Sequence, residues 1–140
     1  MEQQEKIFNV KVKRINGGRA EVEAHGQKII LSTRGDDQNL GITAPETVLA
    51  AFGTCIISNI NKLSKEEGLK IDDVSIEFQA KKRLNPLGFE DLHYTVTIQS
   101  PEPKEKLQTL YQKVTTNGTA TTALLEGIKP QGKLKIQSHL

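Results

Sequence analysis

The chain has 140 residues, enough for one domain with its own core over residues 1–140. Charged residues make up 26% and hydrophobic residues 36%, with a net charge of +2 and interspersed signs, so there is no basic stripe of the kind a nucleic-acid binder carries. No apolar run approaches the roughly 20 residues of a membrane span, and tryptophan is absent with aromatics at 4%, which argues against recognition by stacking.

The opening Met1-Glu-Gln-Gln-Glu5 is acidic and polar, the wrong start for a signal peptide. Phe8, Val10 and Val12 then alternate with Asn9, Lys11 and Lys13, the period-2 pattern of a half-buried strand. Asn16-Gly17-Gly18 signals a tight turn. A second strand follows through Ala20, Val22 and Ala24, and His25-Gly26 turns it into a third at Lys28-Ile-Ile-Leu31. Residues 33–42 read as a polar loop. A helix of about 23 residues comes next, on the three- and four-residue recurrence of Val48, Leu49, Phe52, Ile56, Ile60 and Leu63. Thr43 and Glu46 fit a capping box at its start, and Gly68 suits the left-handed position at its end.

Val74, Ile76, Phe78 and Ala80 alternate as a fourth strand, broken at Asn85-Pro-Leu-Gly88, and Tyr94, Val96 and Ile98 as a fifth. Leu107, Leu110, Tyr111 and Val114 describe a second amphipathic helix, and residues 119–126 a third, stopped by Gly127 and Pro130. Leu134 and Ile136 suggest a last strand. The order βββ-α-ββ-αα-β, with hairpins outnumbering crossovers, is α+β. One long helix and a short meander cannot cover all these apolar faces, which points to an obligate homodimer.

Cys55, the only cysteine, lies on the long helix. It cannot form a disulfide within its own chain. With no export signal it points to a reducing, cytoplasmic setting. A lone cysteine on an apolar helix face is most often a small buried hydrophobe. Glu46 is already explained by the capping box, and arginines are most often solvated. His25, His93 and His139 form no pair with metal-ligand spacing, so neither a metal nor a cofactor is expected.

The run Val48-Leu-Ala-Ala-Phe-Gly-Thr-Cys55 resembles the cysteine helix of the OsmC/Ohr family, and the order of elements extends the resemblance over nearly the whole chain. The resemblance implies an intertwined homodimer with the cysteine helices at its centre. It also implies thiol-dependent reduction of organic hydroperoxides in oxidative stress defence, with Cys55 as the peroxidatic nucleophile. The family's second, resolving cysteine is matched here by Thr119, so the resolving thiol would be external. A peroxidatic cysteine reacts as thiolate, whereas free cysteine has a pKa of about 8.5. Cys55 sits some three turns into its helix, where the macrodipole has faded. An arginine would then stabilise the anion: Arg34, Arg19 or Arg14, oriented by Glu46. The alternative is a non-enzymatic dimer with an apolar pocket near Cys55 that holds a small hydrophobic ligand.

Overall fold

The structure is a computed structural model and describes residues 6–115 and 118–137. The opening pentapeptide and His139 lie outside these residues. The chain divides into two compact units, Met1–Ala50 and Ala51–Leu140.

The first unit is built on an antiparallel sheet in the order β1-β2-β3, with β1 at Lys11–Arg14, β2 at Arg19–Ala24 and β3 at Gln27–Ser32. The turn between β2 and β3 is the expected one. His25 and Gly26 both take positive φ, 41° and 83°, the geometry of a two-residue hairpin turn. Asn16 Oδ1 accepts the Gly18 N–H and closes the turn before β2. β1 is shorter than its alternation suggests: Phe8 and Val10 precede it, and both stay largely exposed, as does Val12 within it. The 33–42 loop contains one short 3₁₀ turn, Gln38–Leu40, capped by the Asp37 carboxylate.

Helix α1, Ala44–Glu67, begins in the first unit and continues into the second. Its end is a Schellman motif. Leu69 N–H reaches Ser64 O and Gly68 N–H reaches Lys65 O, with Gly68 at φ 69°. In the second unit β4, Asp73–Leu84, and β5, Leu87–Gln99, form one long hairpin around Asn85-Pro86. The fourth strand ends at Leu84, just ahead of the expected break at Asn85, and a bulge between Gln79 and Lys81 resets its register beyond the alternating residues. A bulge breaks the period-2 pattern, so the polar Lys81-Lys82-Arg83 stretch gives no strand signal of its own.

Val74, Ile76 and Phe78 pair with Ile98, Val96 and Tyr94, so the apolar members of both strands share one face. That face packs on a cluster formed by Ile56 and Ile60 of α1 with Leu110 and Val114 of α2, Lys104–Val114, all four fully buried. Each such burial is worth about 1.5–3 kcal/mol. Phe52, Phe78 and Tyr94 close one end as a three-ring cluster with centroids 5.5–5.9 Å apart. Gly53 lets them approach: a Cβ there would fall 2.9 Å from a Phe78 ring carbon. Helix α3, Thr119–Glu126, ends at Gly127 with φ 76°.

The architecture is α+β, with one correction. No strand forms at Leu134 and Ile136, which are 85% and 82% exposed. Alternation makes a segment competent to pair, but a strand exists only where an edge accepts its hydrogen bonds. Among the described residues, no helix is long and apolar enough to cross a membrane.

Candidate active site

Cys55 is not part of the apolar cluster. Ile56 and Ile60 carry the core contacts of α1, while Cys55 sits on the flanking stripe with Asn59 and Lys62, at i+4 and i+7. The stripe is legible in the sequence as three non-apolar residues at helical spacing, beside the apolar face of Phe52, Ile56 and Ile60. In the structure Cys55 is partly buried and borders an open cavity of about 1010 Å³.

The start of α3 forms the other side of this cavity. Its N-cap, Gly118, provides no side-chain cap, so the first N–H groups of the helix look outside their own sequence for acceptors. The Cys55 sulfur lies beside this helix start. Burial pushes the thiol pKa up and is the largest single influence on it. The Thr121 hydroxyl, the Thr121 N–H and the Ala120 N–H all donate toward sulfur and together outweigh burial, so the net direction is downward. These are the donors a thiolate needs, and they add to the positive end of the α3 dipole.

Thr121 is 2% exposed, and its hydroxyl makes no well-formed hydrogen bond among the described residues. Its polar neighbour is the Cys55 sulfur. A neutral thiol is a poor acceptor, whereas a thiolate forms a charge-assisted bond. The buried hydroxyl therefore favours the anion. Gly118 is the residue that permits the approach: a Cβ there would stand 2.6 Å from Cys55 Sγ and 2.7 Å from Asn59 Nδ2. Gly118, Ala120 and Thr121 carried no sequence signal of this role, because what marks them is a contact with a helix far upstream.

Thr119, the residue at the expected resolving position, lines the same cavity. The cavity wall is mixed: Thr54, Ser58, Asn59, Lys62, Thr119 and Thr122 bring polar groups to it beside Ala51, Gly118 and Ala120.

The other candidate residues have local partners in the first unit. Glu46 Oε1 accepts both the Thr43 N–H, at 2.9 Å, and the Thr43 hydroxyl, at 2.8 Å. This is half of a capping box, since the hydroxyl turns to the carboxylate rather than to a helix amide. The Thr43 N–H, then the hydroxyl, hold the Glu46 carboxyl below its usual range. Arg34 forms a two-pronged pair with Asp36, at 3.1 and 2.8 Å. Arg19 donates to the Leu40 carbonyl at 3.2 Å. Among the described residues, no group of three His, Cys, Asp or Glu side chains could hold a metal ion.

The family model described as OsmC-like protein matches residues 35–131. Among solved structures, an OsmC-like protein from Mycoplasma pneumoniae superposes with a TM-score of 0.78 at 14% identity, covering 87% of this chain and 89% of that one. The organic hydroperoxide resistance protein OhrB of Bacillus subtilis superposes at 0.60 with 15% identity, covering 84% and 90%. The organic hydroperoxide resistance protein OsmC of Legionella pneumophila superposes at 0.60 with 16% identity, covering 87% and 91%. No curated protein matches the chain at a significant level. At these identities the structural likeness is one of fold.

Proposed function

Because the chain belongs to the OsmC-like family, we propose that it reduces organic hydroperoxides in oxidative stress defence, with Cys55 as nucleophile and an external thiol as reductant. One observation carries the reading: the start of α3, without a side-chain cap, lies against the Cys55 sulfur, so close that a Cβ on Gly118 would stand 2.6 Å from it, and this surrounding shifts the thiol pKa downward. The names of the Bacillus subtilis and Legionella pneumophila structures supply the substrate class.

The Cys55 thiolate attacks the distal oxygen of the hydroperoxide. The O–O bond breaks, sulfur becomes a sulfenic acid, and the departing alkoxide takes a proton from water to give the alcohol. A threonine stands at residue 119, so the sulfenic acid is resolved from outside. One thiol condenses with it to a mixed disulfide and water. A second thiol then attacks the mixed disulfide, freeing Cys55 and leaving as the external disulfide. Activation by Glu46 with Arg34 or Arg19 is the competing account of the thiolate, and single substitutions separate the two.

The test is to expose purified protein to cumene hydroperoxide and trap sulfenic acid with dimedone. A Cys55 adduct absent from Cys55→Ser is expected, together with thiol-dependent hydroperoxide consumption. No adduct, and no consumption with any thiol reductant, defeats the reading. We also propose that the chain acts as a homodimer in a reducing, cytoplasmic setting. The exposed apolar side chains Phe8, Val10, Val12, Leu134 and Ile136 support the dimer, and a stable monomer by light scattering would contradict it.

A further inference from the structure

We infer that Asn16-Gly17, in the turn between β1 and β2, is a site of spontaneous modification: the Asn16 side chain closes to a succinimide with the Gly17 nitrogen, and water opens the ring to aspartate or isoaspartate. The inference is independent of the peroxidase reading. Three features of the turn carry it.

The first is the nucleophile. Gly17 is exposed, and its N–H donates to no acceptor among the described residues. A backbone N–H held in a ladder is shielded from base, whereas this one faces water. The second is access. A Cβ on Gly17 would meet nothing within 4 Å, so no neighbouring side chain blocks the approach, and glycine brings no Cβ of its own. The third is the electrophile. Asn16 Oδ1 accepts the Gly18 N–H at 2.8 Å. That bond folds the carboxamide back along the turn and polarises its carbon toward attack. The other described asparagines precede bulkier residues or Pro86, which has no N–H. Asn117, which precedes Gly118, lies outside the described residues.

The chemistry needs only water. Base removes the Gly17 N–H proton, the nitrogen attacks Asn16 Cγ, and the side-chain amide leaves as ammonia. Water then opens the succinimide on one side or the other. Breaking the new Cγ–N bond gives aspartate. Breaking the original peptide bond leaves Gly17 attached through Cγ, an isoaspartate with one more carbon in the backbone. The two products act differently on the turn. Aspartate keeps an oxygen where Asn16 Oδ1 stands, so the Gly18 N–H keeps its acceptor. Isoaspartate lengthens a turn that is closed by that bond and by the Ile15 N–H donating to Arg19 O at 3.0 Å. The Arg14–Ala20 pair of the β1–β2 ladder follows directly, and an added backbone carbon works against its register.

The experiment incubates the folded protein in heavy-oxygen water at neutral and at mildly alkaline pH, then digests it in ordinary water, so that only deamidation during the incubation carries label. Trypsin cuts after Arg14 and Arg19 and isolates Ile15–Arg19, apart from Asn117. Label is expected on Asn16 in this peptide, faster at the higher pH, with the isoaspartate form resolved by chromatography. Gly17→Ala, whose methyl group meets open space, should slow labelling by about tenfold, which is about 1.4 kcal/mol in the barrier. The isoaspartate form, separated from aged protein, should melt below the wild type, and Asn16→Asp should melt with it. A peptide from the folded protein that stays unlabelled overturns the inference, and label in the urea-unfolded chain would then show that the fold protects Asn16. Equal rates in Gly17→Ala also overturn it, and an isoaspartate form that melts with the wild type overturns the effect on the turn.

Discussion

Helices α1 and α3 start in opposite ways. The start of α1 is served from within its own sequence. Glu46, in the first turn, accepts from Thr43, and the negative charge at this helix start comes from that carboxylate. The start of α3 has glycine at the cap, no acid in its first turn and no side-chain cap. Its amides and the Thr121 hydroxyl instead serve the Cys55 sulfur. A helix start that satisfies itself is a stability device, whereas one left unsatisfied by its own sequence is available for chemistry.

Substitutions can break this contrast from either side. Gly118→Ala should have the largest effect. Its Cβ meets both Cys55 and Asn59, and relief of that overlap costs about 1–3 kcal/mol. It also moves the α3 amides from sulfur, so thermal unfolding should fall and the alkylation–pH profile of Cys55 should shift upward. An unchanged profile would mean that the α3 start does not stabilise the thiolate.

Thr121→Val isolates the hydroxyl while keeping the shape. Alkylation at neutral pH should slow roughly three- to tenfold, the scale of one hydrogen bond. Stability should hold or rise, because a buried hydroxyl without a well-formed partner is removed. A loss of stability with no change in alkylation would make Thr121 a packing residue only.

The lowered thiol pKa also predicts a pH signature. The folded thiol ionises below its ordinary value. Between the two values unfolding takes up a proton, so stability rises with pH across that window and is lost as pH falls through the folded pKa. Denaturant unfolding on either side of the window should show this rise in the wild type and not in Cys55→Ser.

Glu46→Gln should have the smallest effect, lowering the melting temperature by a few degrees at most through the α1 start. Its contribution is present above the unfolded carboxyl pKa and is lost as pH falls through the lowered folded value. Cys55 alkylation should not change, nor should it in Arg34→Ala, which removes only an exposed pair with Asp36. A slower alkylation in either variant would move the activation of the thiol to these residues.

Much of the fold is legible because its signals are local. A helix start is written within four residues, a helix end in one glycine, and a two-residue turn in His25-Gly26. Thus the Thr43–Glu46 contact, the Gly68 terminus and the Thr119–Glu126 helix follow from the sequence. The Val48–Cys55 run likewise identified the family. Where local pattern and tertiary pairing diverge, the pattern misleads. Leu134 and Ile136 alternate like a strand yet pair with nothing among the described residues, and the β4 bulge hides four further paired residues.

The candidate site divides along the same line. The sequence by itself determined that a lone thiol sits on a long helix, that Thr119 offers no second thiol, and that Asn59 and Lys62 share the face of Cys55. It did so because helical periodicity fixes which neighbours within two turns lie together. Only the tertiary structure decided what acts on that thiol. The packing of α1 and α2 on the β4–β5 hairpin fixes the faces of the second unit, and in that unit the start of α3 meets Cys55. A contact between a sulfur and the start of a helix remote in sequence leaves no spacing to read, because the amides at a helix start belong to the backbone and any residue could carry them.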